Sequence, residues 1–105
     1  HWQNSVARER IQACRTRLAD KLVHTGELYL KLSLAKPARV YFEMVTVDYR
    51  DTVWVSRAEL GLAMCDVREG RRPQAIARLE SIEASYPGQP IANRAARERK
   101  RLEGR

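Results

Sequence analysis

The sequence predicts an all-α fold: a solenoid of antiparallel helix pairs, about five helices in all, made of two repeats and a terminal helix. Three observations predict it. One stretch recurs: Ala38, Phe42, Glu43, Val45 and Tyr49 are matched thirty-seven residues later by Ala75, Leu79, Glu80, Ile82 and Tyr86, and the same offset pairs Gly26 with Ala63. A repeat of this length, with small and large apolar residues in fixed places, is the pattern of stacked helical units. Apolar residues also recur at steps of three and four, the helical period. Finally, Pro37, Gly70, Pro73, Pro87, Gly88 and Pro90 fall between the periodic runs, where proline opens helices and glycine closes them.

Length and composition set the limits. A chain of 105 residues makes one domain. With 44% apolar and 31% charged residues it is globular rather than disordered. No run approaches the eighteen apolar residues of a membrane span. The chain opens at His1 without an initiator methionine, so we read it as a piece of a longer protein. Within it, repeat 1 covers about residues 17–50, repeat 2 about 53–87 and a capping helix about 90–103.

The elements follow in order. From Ser5 to Leu32, the positions Ala7, Ile11, Cys14, Leu18, Leu22, Thr25, Tyr29 and Leu32 form one line on a long helix, with Asn4 or Ser5 as its cap. Gly26 lies inside this helix, where glycine costs about 1 kcal/mol relative to alanine. Its presence there predicts the close approach of a second helix. That helix starts at Pro37, runs to about Asp48 and turns Ala38, Tyr41, Phe42 and Val45 inward. Asp51 and Thr52 predict a turn and an N-cap, with the Thr52 hydroxyl accepting from the next amides.

A third helix runs from Val53 to about Glu69, with Trp54, Ala58, Leu62, Cys65 and Val67 inward, and Gly70 ends it. The fourth starts at Pro73 and runs to Ser85 with Ala75, Ile76, Leu79 and Ile82 inward. The last opens at Pro90 and reaches about Leu102. It is polar and basic, with only Ile91, Ala95 and Leu102 apolar, which suits the end of a solenoid.

The net charge is +7, but its distribution argues against nucleic acid. Residues 22–93 balance at nine bases and nine acids, and the excess sits in the two terminal segments. Nucleic-acid surfaces carry an even basic stripe with interleaved aromatics; here the ends read as solvated helix termini.

No chemistry announces itself. Cys14 and Cys65 both fall on lines expected to face inward, and we read them as buried free thiols packing as small hydrophobes. His1 and His24 stand apart with no metal-ligand spacing, so no metal is expected. No phosphate loop or nucleophile motif appears, so neither a catalytic residue nor a cofactor is assigned. Trp54 reads as a core aromatic, and Asp51 as a helix cap rather than a base.

The helix pairs resemble tetratricopeptide repeats. Leu22, Gly26, Tyr29, Ala38, Phe42 and Val45 stand in the signature positions of the first repeat, and Leu62, Ala63, Ala75, Leu79, Ile82 and Pro87 in those of the second. Two positions depart: Arg50 stands where the terminal proline is usual, and Asp66 where an aromatic is usual. The wording narrows the likeness. Arg17-Leu-Ala-Asp-Lys, Leu28-Tyr-Leu-Lys31, Tyr41-Phe-Glu-Met-Val45 and Asp48-Tyr-Arg-Asp-Thr52 resemble BamD-like outer-membrane lipoproteins, over about residues 10–88.

That resemblance implies a non-enzymatic scaffold of the outer-membrane β-barrel assembly machinery, at the periplasmic face of the bacterial outer membrane. Its implied partners are a BamA-like barrel component and unfolded outer-membrane protein segments. Membrane attachment is implied only through a lipid anchor absent from this chain. The alternative is another tetratricopeptide adaptor, periplasmic and associated with the cell envelope or Tol-Pal system, or cytoplasmic.

In tetratricopeptide proteins the first helix of each pair lines a concave groove. Mapped onto this chain, the likeness implies partner-binding residues Val23, Glu27, Leu30 and Lys31, beside Asp20, from repeat 1 and Arg57, Leu60, Met64, Val67 and Arg68 from repeat 2. Val23, Leu30, Leu60 and Met64 would form an apolar floor with charges beside it, which suits a peptide or partner helix; the alternative is that the last helix or neighbouring repeats cover this floor.

Overall fold

The computed structural model describes residues 2–104. It is all-α, with five helices and no strand among the described residues: α1 (Trp2–Lys31), α2 (Ala35–Asp48), α3 (Val55–Arg68), α4 (Arg72–Ser85) and α5 (Pro90–Glu103). Each helix packs against the next. In addition, α3 leans on α1 and α5 on α3. No helix is long and apolar enough to cross a membrane.

The thirty-seven-residue offset is a property of the backbone as well as of the sequence. Both bounds of α4 are those of α2 moved by it, and α3 ends at Arg68 as α1 ends at Lys31. The exits from α1 and α3 share one hydrogen-bond arrangement. Ser33 N–H donates to Leu30 O and Leu34 N–H to Tyr29 O; at the matched place Gly70 N–H donates to Val67 O and Arg71 N–H to Asp66 O. This is the Schellman motif, which needs a left-handed residue at its centre. Gly70 takes it at φ 77° without strain, whereas Ser33 holds φ 63° with a side chain.

The core repeats too. Ala38, Phe42 and Val45 are fully buried, and so are their counterparts Ala75, Leu79 and Ile82. Phe42 fills the space between α1 and α3. A Cβ on Gly26 would lie 2.7 Å from its ring, and one on Gly61 would lie 2.5 Å from it. Both glycines therefore serve close approach, Gly26 as its place in the helix predicts.

Asp66, the departure noted above, is 2% exposed. Arg39 of α2 donates to one carboxylate oxygen at 2.6 Å and Arg78 of α4 to the other at 2.8 Å, while Arg39 also reaches Glu69 at 2.6 Å. Burial opposes the charge on Arg39, but the hydrogen bonds to Asp66 and Glu69 outweigh it and raise its pKa. A lone buried carboxylate costs several kcal/mol, so both guanidinium partners are needed to hold it there. The matched positions in repeat 1 are Tyr29 and Tyr41, whose rings stack at 5.6 Å. One repeat thus ties its two helices with an ion pair, the other with an aromatic pair.

Several expectations need correction. The line Ala7, Ile11, Cys14, Leu18 and Leu32 is exposed; α1 buries Ala19, Val23 and Gly26, with Leu22, Tyr29 and Leu30 packed beside the core. Two helical lines compete on this helix, and α2 takes the one with smaller residues because it permits closer approach. Asn4 and Ser5 lie inside the first turn of α1 rather than capping it. Pro37 is the third residue of α2, where the amide is one of the unbonded first four and its loss costs no helical bond.

At Asp51–Thr52 the expected turn forms, but the expected cap does not. α3 starts at Val55, and the Thr52 hydroxyl donates backward to Tyr49 O at 2.8 Å. Asp51 accepts from Arg15 of α1 at 2.8 and 3.0 Å, and the Arg15 guanidinium lies over the Tyr49 ring. That hydrogen bond lowers the Asp51 pKa. Asp51 therefore fastens the long helix to the turn.

The two inter-repeat turns agree at Tyr49 and Tyr86, which have near-equal φ of −128° and −127°, and in their Thr52→Tyr49 and Gln89→Tyr86 backbone bonds. They differ one step on: Gly88 has φ 78°, the Pro-Gly form of a type II turn, whereas Asp51 is not left-handed. Arg50 donates to Thr46 O at 3.2 Å, a C-terminal contact worth about 0.3–1 kcal/mol.

Two measurements check this account. Gly26→Leu should overpack the Phe42 contact and lower unfolding free energy by about 1–3 kcal/mol or more, with a smaller loss in a Phe42→Leu background. An equal loss in both backgrounds would place the strain elsewhere. Ser33→Gly and Arg50→Pro each import the repeat 2 residue into repeat 1. The first should raise stability by about 1 kcal/mol by relieving left-handed strain. The second should stay within about 1 kcal/mol of the parent, because stiffening of the unfolded chain offsets the lost contact. Urea melts losing several kcal/mol for either would show that the repeats differ in backbone.

Candidate functional site

A groove of roughly 300 Å³ opens along α1, α3 and α5. It arises because α3 is flanked by both other helices, and the side chains on its third face have nothing stacked over them. Leu30 of α1 and Leu60, Gly61 and Met64 of α3 make its floor. Glu27, Lys31, Arg57, Arg68 and Arg94 stand around it. Seven of the nine partner-binding residues inferred from sequence line this one surface.

The other two do not. Val23 is fully buried in the core beside Phe42, and no partner reaches it. Val67 is half-buried outside the groove lining. Leu60 is a partial correction: at 3% exposure it supports the floor from within the second core cluster. Asp20 is turned to His24 on its own helix. Two residues were missed. Gly61 carries no side chain to suggest a surface. Arg94 was read as part of a capping helix, and only the folding of α5 back onto α3 brings it to the groove.

Charge in the groove is partly settled within it. Arg57 donates two hydrogen bonds to Glu27 at 2.6 and 2.8 Å, bridging α3 to α1, and Glu27 in turn raises the Arg57 pKa. The Arg57 guanidinium also lies over Trp54, whose ring meets His24 edge-on at 5.4 Å. Trp54 thus packs partly buried against the first core cluster, as its sequence position predicts. Arg68 donates to the Ser33 hydroxyl at 2.9 Å. Among the described residues, Lys31 and Arg94 have no carboxylate within salt-bridge reach.

The cysteines part company. Cys65 is fully buried, and burial pushes its thiol up to about 11. Cys14 is exposed on α1, against the expectation that both are buried, because its helical line is the one left uncovered. His1 lies outside the described residues. Among those residues, no three His, Cys, Asp or Glu side chains converge as metal ligands would. The cysteine difference predicts a two-step titration: with an aromatic disulfide reagent at pH 8, Cys14 reacts at once and Cys65 only on unfolding. Two fast equivalents would contradict the burial of Cys65.

Compared with models of known protein families and with curated proteins, the sequence matches neither.

Proposed function

We propose that this chain is a non-enzymatic tetratricopeptide-like scaffold that captures a protein segment in the α1–α3–α5 groove, and that it works in outer-membrane β-barrel assembly. The observation that carries the capture reading is the groove itself: half-buried Leu30 and Met64 over buried Leu60, rimmed by charge. Such surfaces take peptides or helices through a few apolar anchors, while rim charges set approach and specificity. The assembly role rests on the sequence likeness to BamD-like lipoproteins over about residues 10–88. It carries with it the periplasmic location and a BamA-like partner.

Met64 is the residue to test. Leu30 packs against the first core cluster, so its replacement would mix stability with binding. Met64→Asp should reduce capture of the purified periplasmic domains of the cognate BamA-like component at least tenfold while leaving the melting temperature near that of the parent. Arg68→Glu should weaken capture severalfold and more so at low salt. Undiminished capture by a folded Met64→Asp protein would remove the groove as the site. Depletion of the protein in its own cells should lower folded outer-membrane β-barrel proteins. Normal levels after depletion would end the assembly reading in favour of another tetratricopeptide adaptor.

A further inference from the structure

The charge around the groove is one-sided. Four cations, Lys31, Arg57, Arg68 and Arg94, face a single carboxylate, Glu27. Arg57 and Glu27 neutralise each other through two hydrogen bonds. What remains is Lys31 from α1, Arg68 from α3 and Arg94 from α5, one cation from each helix that forms the groove, set around Leu30 and Met64.

Elsewhere the arginines that join one helix to another, or to a turn, are matched: Arg39 and Arg78 by Asp66, Arg99 by Glu83, and Arg15 by Asp51. The helix junctions of this fold join arginine to carboxylate; of the four groove cations only Arg57 is so joined among the described residues.

We infer that the occupant of the groove is an acidic amphipathic segment, with leucine-like anchors on one side and Asp or Glu side chains flanking them. This rests on the reading of the groove as a capture site and adds the chemistry of what is captured. Apolar anchors cover Leu30 and Met64, and the flanking carboxylates complete the pairing that Lys31, Arg68 and Arg94 lack among the described residues. A basic segment would bring like charges together at the three cations. A second copy of this chain is disfavoured as occupant for the same reason, since its net charge is +7.

The test uses labelled synthetic peptides and fluorescence anisotropy. One peptide is built of leucine and glutamate with helical spacing, the second carries lysine for every glutamate, and the third serine for every leucine. The glutamate–leucine peptide should bind at least tenfold more tightly than either counterpart, and weaken severalfold as salt is raised towards 0.3 M. Lys31→Glu with Arg94→Glu should lose at least tenfold for the acidic peptide and gain affinity for the lysine peptide. That gain is a readout an unfolded variant cannot give.

Arg8→Glu with Arg10→Glu, the same charge change on the exposed start of α1, should leave acidic-peptide binding within about twofold. If that remote pair weakens binding as much as the groove pair, the attraction belongs to net charge and the inference falls. If acidic and basic peptides bind alike and Met64→Asp abolishes both, the groove captures segments without regard to charge: the inference falls and the capture reading stands. If no peptide binds and Met64→Asp leaves capture of the barrel component unchanged, the capture reading falls with it.

Discussion

The seat of Phe42 between two glycines is the constraint on which the rest of the structure depends. Its ring is the largest fully buried side chain, and it touches the backbone level of α1 at Gly26 and of α3 at Gly61. Helices come this close only where one surface has no side chain. The gain is burial of a whole aromatic ring, about 1.5–3 kcal/mol from transfer alone. The cost is two mid-helix glycines, each about 1 kcal/mol less favourable than alanine. The terms are comparable, so the arrangement is kept less for net stability than for what it fixes. With α1, α2 and α3 locked around one ring, the angle between the first and third helices is set. The groove follows from that angle.

Arginine–carboxylate pairs hold the remaining joints. Asp66 is the clearest case, a carboxylate at the centre of the stack, one oxygen given to α2 and the other to α4. Replacing such a cluster by well-packed apolar groups is often neutral or stabilising in other proteins. The Tyr29–Tyr41 stack at the matched place in repeat 1 shows that this fold accepts an aromatic solution there as well. What the ionic version adds is direction. Two guanidinium groups on two oxygens fix α2 and α4 each against α3, whereas stacked rings can slide. Glu27–Arg57 and Glu83–Arg99 do the same for α1–α3 and α4–α5.

Much of this was legible in the sequence, and the failures have a common cause. The repeat predicts five helices, the Gly70 exit and the buried set Ala38, Phe42, Val45, Ala75, Leu79 and Ile82, because each depends on local spacing or on a residue with a distinctive backbone preference. The groove was legible through Glu27, Leu30, Lys31, Arg57, Met64 and Arg68, since residues three, four and seven apart on a helix share a face. What failed was any choice between equivalent faces. α1 carries two lines of apolar residues with the same period, and nothing local says that Ala19, Val23 and Gly26 turn inward while Ile11 and Leu18 do not. Thr52 and Asp51 failed for a related reason. Both are strong cap formers locally, but Asp51 is claimed by Arg15, thirty-six residues earlier in the chain. Arg94 could not be placed without knowing how α5 folds back.

The uneven distribution of exposed apolar groups carries the argument one step further. Leu18 and Leu28 of α1, Leu32 just beyond it, and Val40, Met44 and Val47 of α2 are all exposed, while the large hydrophobics of α4 and α5 are buried or half-buried. The repeat offset makes the comparison direct. Leu28 and Leu32 correspond to Cys65 and Glu69 of α3, the row that α2 covers: Cys65 is fully buried there, and Glu69 is bound by Arg39. The same geometric face is therefore occupied in the second repeat and open in the first. The far end behaves oppositely. α5 sets Ala92 and Ala95 against the stack and turns Arg97, Lys100 and Arg101 outward into solvent. The two ends of the described stack therefore differ, one apolar and one charged, and a charged outer face is the kind that needs no further helix over it to stay soluble. The groove takes Arg94 from this charged helix, so its rim shares the polar character of that end while its floor stays apolar.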